Sequence, residues 1–599
     1  MIASSLKKNT QSLFTERINV MLKKLLGSIR EYKKDSILAP IYVTLEVVLE
    51  VLIPFLMSMI IDRGVGEGDM PFIIRIGLIL IVSTLFSLIF GALSGLHAAK
   101  ASAGFAKNLR KDMYYNIQDF SFSNIDQFST SSLITRLTTD ITNVQNSYQM
   151  IIRIMVRAPL MLVFSLMMAL NINSELGMVF LGAIPFLGIG LYLIMSQAFP
   201  IFQRVFRTYD KLNRVVQENL YGIRVVKSYV REEHETEKFK SVSKKIYTDF
   251  TKAEKILAFN SPLMQFTMYA SILTLSLLGA RMIVSGSMTT GQLMSLITYA
   301  SQILMSLMMI SMVFVMVTIS RASAERIVEV LSEESDLKNS DNPVMVIPDG
   351  SVSFENVSFS YSKDSNKLAL KDVSFSVKAG ETVGIIGGTG SAKTSMVHLI
   401  PRLYDVTGGT VKVGGIDVRD YDMPALRSAV AMVLQKNILF SGTIKDNLRW
   451  GNPFATDEEL MIAARQAQAD EFIQRLPDGY DTYIEEGGTN VSGGQRQRLC
   501  IARALVKQPK ILILDDSTSA VDTRTDSLIR TAFREELPNT TKFIIAQRVS
   551  SVQDADKIIV MESGSINGIG THDELLASNT IYQEVYDSQT KGGQLADEA

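Results

Sequence analysis

Six stretches of the chain are apolar for long enough to cross a bilayer, which needs about 20 residues of helix. They span 37–62, 71–95, 150–171, 176–199, 261–285 and 289–317. The short connections at 63–70, 171–176 and 285–292 carry little basic charge. The connections at 97–148 and 200–260, like the segment 7–34, are long and rich in Lys and Arg. Positive charge favours the cytoplasmic side, so both termini and both long connections are expected there. No proline lies between Pro71 and Pro159 or between Pro200 and Pro262. Helices two to five are therefore predicted to run well past the membrane, reversing near Phe120–Asp126 and near Tyr221–Tyr229.

From Ser340 the pattern changes. A bridge containing Asn, Asp, Pro and Gly, "NSDNPVMVIPDG", leads into short β-branched runs alternating with helical segments: "ETVGIIG", "AVAMVLQ", "KILILDD", "TKFIIAQ", "KIIVME". Such alternation predicts an α/β domain with a largely parallel sheet. The resulting division is an N-terminal segment 1–36, a six-helix membrane domain 37–325, a linker 326–350, an α/β domain 351–587 and a polar tail 588–599.

Composition agrees with a membrane part joined to a soluble part. The 599 residues are 47% hydrophobic yet 20% charged. A net charge of −1 gives no electrostatic footprint for nucleic acid, which is not expected as a partner. One cysteine, Cys500, excludes an internal disulfide framework and reads as a small buried hydrophobe. The first thirty residues lack the apolar core of a cleavable signal peptide, so the first span is expected to anchor the chain.

Three motifs carry chemistry. "GIIGGTGSAKTS" follows a strand and opens a helix, matching the phosphate-binding pattern G-x-x-x-x-G-K-[ST] with Gly387 first and Lys393 and Thr394 last. Ala392 stands where the final glycine belongs, and its methyl is accommodated if its φ is negative. "ILILDDSTSAVD" is an apolar strand ending in two acids, fit to carry a magnesium-associated carboxylate. "NVSGGQRQRLCIARAL" is a Ser-Gly-Gly-Gln turn opening a helix. In this order and spacing the motifs resemble an ATP-binding cassette exporter half-transporter of the multidrug type. The likeness extends into the membrane half through "FSTSSLITRLTTDITNVQ" and "YGIRVVKSYVRE", which resemble that family's cytoplasmic coupling segments.

The resemblance implies roles for individual residues. Tyr361 stacks on adenine. Gly387, Gly388, Thr389, Gly390, Ser391, Ala392, Lys393, Thr394 and Ser395 hold the phosphates of ATP. Thr394, Gln435 and Asp515 serve Mg2+, directly or through water. Ser492, Gly493 and Gly494 cover the γ-phosphate bound by a partner subunit, and Ser519–Asp522 cross the dimer interface.

Two departures from the family matter most. The glutamate expected after Asp515, the general base, is Asp516, whose carboxylate falls short by about 1 Å; such misplacement costs ~10²-fold. The histidine expected before Arg548 is Gln547, which donates a hydrogen bond but carries no imidazole charge. Both departures fall on catalytic positions while the binding residues remain. The implied protein is the subunit of a bacterial heterodimer that holds ATP in a degenerate site and lends Ser492 and Gly494 to its partner's site.

In the first span Glu46 and Glu50 lie one helical turn apart. Carboxylates within a membrane cost roughly 2.5–3.5 kcal/mol unless they face water or a partner. They are either a cavity face attracting cationic, amphipathic cargo or a pair satisfied between helices. Met305, Met308, Met309, Met312 and Met316 offer an adaptable lining in the sixth span. The implied activity is ATP-driven export of amphipathic drugs or lipid-like compounds across the cell membrane. A dedicated lipid or peptide exporter, and a non-transporting sensor or channel on the same frame, remain as alternatives.

Overall fold

A computed structural model describes residues 21–362, 367–517 and 520–597; Ser519 and the first twenty residues lie outside the described residues. The chain forms two compact units, one of residues up to Gln118 with Thr130–Glu333, the other of Asp119–Ser129 with residues from Glu334 onward.

In the first unit the six apolar stretches form six long helices, Arg30–Val65, Met70–Gln118, Thr130–Ile172, Ser174–Tyr221, Glu232–Val284 and Thr290–Ser332. The second is 49 residues long, more than twice what a bilayer of about 30 Å requires. Helices two to five thus extend far beyond their apolar stretches, as the absence of proline predicts. The regular core of the first helix is α1 (Lys33–Met59), and the second is α2 (Met70–Gln118). The first reversal contains α3 (Phe122–Gln127), followed by α4 (Ile141–Ile172) and α5 (Ser174–Tyr221). The second contains α6 (Ile223–Ser228), and beyond it lie α7 (Glu232–Leu257), α8 (Asn260–Val284) and α9 (Thr290–Ser332).

Local chemistry starts these helices where they start. Thr289 caps α9 in a reciprocal box with Gln292. Asp62 reinforces that end, accepting from Thr289 Oγ1 at 2.6 Å and from the Gly291 amide at 2.7 Å. Inside the bundle, polar side chains of α9 reach carbonyls of α1: Ser295 donates to Pro54 O at 2.6 Å and Tyr299 to Val51 O at 2.7 Å. Such contacts join helices where the hydrophobic effect supplies no drive between them.

The second unit is built on two main sheets, with a short two-stranded ribbon of Gly442–Thr443 and Tyr483–Ile484. An antiparallel one has the order β2-β1-β4-β5, with β1 (Val352–Phe359), β2 (Leu370–Val377), β4 (Gly408–Val413) and β5 (Ile416–Asp417). The central sheet runs β10-β9-β3-β8-β7-β6, where β3 is Thr382–Gly387, β6 Val430–Val433, β7 Ile511–Asp515, β8 Thr541–Ile545, β9 Lys557–Glu562 and β10 Ser565–Gly570. All its pairings are parallel except β9 with β10. The parallel strands read as largely continuous apolar runs because both faces are covered. Along β7, Ile511 and Ile513 join one core with Phe543 and Ile545, while Leu512 and Leu514 join the opposite core with Ile544. That two-residue alternation buries the sheet on both sides and carries Asp515 to the end of its strand. The fold class expected from the sequence is therefore the fold class observed.

Candidate functional site

The ends of β3 and β7 bring the phosphate-loop motif and the paired acids together. Gly387 ends β3 at φ +156°, and a Cβ there would lie 2.3 Å from Met561 O, so only glycine fits. Gly388 and Gly390, by contrast, face open space, with no atom within 4 Å of an added Cβ. This leaves a concave loop of backbone amides open to an anion. The loop enters α10 (Lys393–His398) through Ala392, whose φ of +70° and ψ of 25° are left-handed. The condition under which the methyl would be accommodated without strain, a negative φ, is therefore not met. The loop turns as tightly as a glycine would allow, and the alanine bears a strain of about 1–2 kcal/mol.

Lys393 Nζ lies in the mouth of this loop, donating to Gly387 O at 2.8 Å, Gly388 O at 2.9 Å and Ser391 Oγ at 3.3 Å. Burial lowers its pKa, an effect that Asp515 and Asp516 oppose. Thr394 donates to Asp515 Oδ1 at 3.0 Å. Asp515 is almost wholly buried, and desolvation raises its pKa against the pull of the Thr394 hydrogen bond. A hydroxyl and a carboxylate side by side next to an anion loop suit a hard cation, which prefers oxygen.

Asp516 follows with φ +50°. Its Oδ2 accepts from Gln547 Nε2 at 2.8 Å, and Gln435 also hydrogen-bonds its carboxylate. Burial is nonetheless the larger influence and raises its pKa. The three positions thus meet in one cluster beside the phosphate loop. The direct pairing of Asp516 with Gln547 had no signal in the sequence.

Tyr361 is half exposed. Its hydroxyl bonds Ser395 Oγ at 2.8 Å, and its ring packs edge-on against Phe359 and Tyr404 at 4.7 and 5.2 Å. Sequence reasoning passed over Tyr404. Its hydroxyl donates to Asp126 Oδ2 of α3 at 2.7 Å, and Phe122 packs on its ring. One tyrosine thereby joins the predicted adenine platform to the first helical reversal.

The Ser-Gly-Gly-Gln turn is a capping box at the start of α11 (Gly493–Val506). Ser492 Oγ accepts from the Gln495 amide at 3.3 Å and the Gln495 side chain accepts from the Ser492 amide at 2.9 Å. Gly494 lies under the loop after β7, where a Cβ would come 3.0 Å from Ala520 O, and Gln497 accepts from the Ala520 amide at 3.0 Å.

In the first unit, Glu46 and Glu50 both meet Arg157 of α4: Arg157 Nη1 pairs with Glu46, and Nη2 lies 2.6 Å from Glu50 Oε2. Arg157 was not singled out from sequence, because 111 residues separate it from Glu46.

Comparison with known proteins places these features. Residues 36–307 match the family described as ABC transporter transmembrane region, and residues 370–519 the family described as ABC transporter. The ABC transporter ATP-binding protein YfiB of Bacillus subtilis is 37% identical over 568 residues, covering 95% of this chain and 98% of that protein. A fatty acid ABC transporter ATP-binding/permease protein of Mycobacterium bovis is 33% identical over 479 residues, covering 80% of this chain and 75% of its own length. Among solved structures, a bacterial Atm1-family ABC exporter with ATP bound shares the fold. Its TM-score is 0.80 at 24% identity, covering 93% of this chain and 99% of that one.

Proposed function

The chain belongs to the ABC transporter family as an exporter half-transporter, and from that premise we propose that it is the weakly hydrolytic subunit of a heterodimer. ATP-driven transport follows from membership, and six membrane-spanning helices make it a multi-pass membrane protein. The finer reading rests on one observation: the carboxylate at the general-base position is an aspartate engaged by the amide of Gln547. A base must reach the attacking water at about 2.6–3.2 Å. Asp516 is a methylene short of that reach and already accepts a hydrogen bond.

The binding residues, in contrast, are present apart from Ala392 in place of the last glycine. Gly387–Ser395 wrap the phosphates, Lys393 meets the outer ones, and Tyr361 supports adenine. Among the described residues no group of three or more His, Cys, Asp or Glu could hold a metal. Mg2+ would be held by Thr394 and, through water, by Asp515, with Gln435 in reach and the nucleotide supplying the other oxygens. When bound, Mg2+ offsets charge on the phosphates. This chain contributes Ser492 and Gly494 to the site across the dimer, where a partner supplies an intact base.

The cargo reading is an amphipathic drug or lipid-like compound moved outward across the plasma membrane, with both termini cytoplasmic. The long apolar helices, the basic connections and the fatty acid transporter among the relatives support it. The purified full-length chain should bind ATP and turn it over slowly. Brisk hydrolysis by the chain alone would refute the degenerate assignment.

A further inference from the structure

Glu46, Glu50 and Arg157 do not balance. One guanidinium serves two carboxylates, so the cluster carries a net charge of −1 inside the apolar part of the bundle. Glu46 is only 9% exposed, and its Oε2 has no hydrogen-bond partner among the described residues. Leaving a carboxylate oxygen buried without a partner costs several kcal/mol.

Among the described residues no second cation forms an ion pair with either carboxylate. On α2, Gly91 faces Glu46: a Cβ there would lie 3.0 Å from Oε1, so glycine lets the two helices close over the carboxylate. The other charged groups of α2 nearby are His97 and Lys100. They pair with Asp35 at 2.7 and 3.7 Å, eleven residues before Glu46 and thus about 16 Å along α1. Arg153, one helical turn before Arg157 on α4, lies against Gly95 of α2 and forms no ion pair with Glu46 or Glu50. Helix α9, also packed on α1, has no charged residue from Thr290 to Ser320. What meets α1 from it is the neutral hydroxyl of Tyr299.

We propose that Glu46, Glu50 and Arg157 form an intramembrane site for one positive charge, filled by a proton when empty of cargo and by the cationic group of an amphipathic cargo molecule when loaded. Arg157 holds the carboxylates in register and limits the site to a single monocation; the half-buried Glu50 is the carboxylate an incoming organic cation meets first. Binding the cation releases the proton, so each charge substitutes for the other and the cluster stays neutral. The substrate class rests on the export of amphipathic cargo proposed above.

The test uses the full-length chain in lipid nanodiscs, with tetraphenylphosphonium as probe and tetraphenylborate as its anionic counterpart of similar size and apolarity. The phosphonium should bind with proton release, more tightly at mildly alkaline than at mildly acidic pH. E50Q, which leaves Glu46 and Arg157 in charge balance, should weaken that binding roughly tenfold or more and abolish its pH dependence. E50D should restore part of it, and tetraphenylborate should be insensitive to E50Q. Equal phosphonium binding by wild type and E50Q overturns the site. Should the phosphonium not bind at all, the infrared band of a protonated carboxyl decides. A band present in wild type and missing in E50Q supports a site for the proton; a band missing from both overturns the proposal. ATP binding on the same discs reports separately on the proposed function. Its loss with phosphonium binding intact would sink that reading and leave the cation site standing.

Discussion

Gln547 donates its side-chain amide to the Oδ2 of Asp516 across 2.8 Å, joining the two positions proposed as departures from the family's catalytic pattern. The pair is self-consistent: an aspartate withdrawn by one methylene is met by a neutral amide, and neither group needs the other's usual chemistry. Replacing one alone leaves the partner mismatched. D516E together with Q547H should therefore raise ATP turnover at this site by about 10²-fold, and each single change by much less. Single-turnover hydrolysis by the purified variants measures this, and equal rates for double and single variants would contradict it.

Asp515 and Asp516 both have pKa values raised mainly by burial. An acid whose pKa is higher in the folded than the unfolded chain binds more protons when folded. Stability contributed by its protonated form is then lost as pH rises from the ordinary carboxylate range, about 4, through the raised value. D515N should accordingly stabilise the nucleotide-free domain at neutral pH and flatten the fall between acidic and neutral pH. Thermal unfolding across that range tests the sign. The same variant should weaken Mg2+-dependent ATP binding.

Ser492 has a structural duty within this chain and a proposed one outside it. As the N-cap of α11 its removal in S492A should cost about 1 kcal/mol of stability. In the proposed heterodimer it should also depress hydrolysis far more than ATP binding by this chain's own loop. Comparing unfolding of the lone chain with turnover of the heterodimer separates the two effects.

Ala392 sits at φ +70°, where a β-carbon is unfavourable. A392G should stabilise the nucleotide domain by up to about 1 kcal/mol, the relief of left-handed strain partly offset by the freedom glycine gains on unfolding. A lower melting temperature for A392G would show that the methyl packs more favourably than its backbone suffers.

Much of this molecule was legible in order along the chain. Apolar runs beyond the length of a core helix could only be spans, and uninterrupted helical pattern beyond them meant long extensions. The glycine loop, the "ILILDD" strand and the Ser-Gly-Gly-Gln capping box are local motifs whose chemistry is set by neighbours a few residues away. Three features were not legible. The φ of Ala392 depends on how the loop turns into α10. Arg157 meets Glu46 and Glu50 only because α1 and α4 pack together, and Gln547 meets Asp516 only because β8 lies beside β7. Helical and strand periods are written in sequence because they arise from backbone geometry repeating every few residues. Which side chain balances which charge is decided by packing between segments far apart, and that is a property of the folded chain.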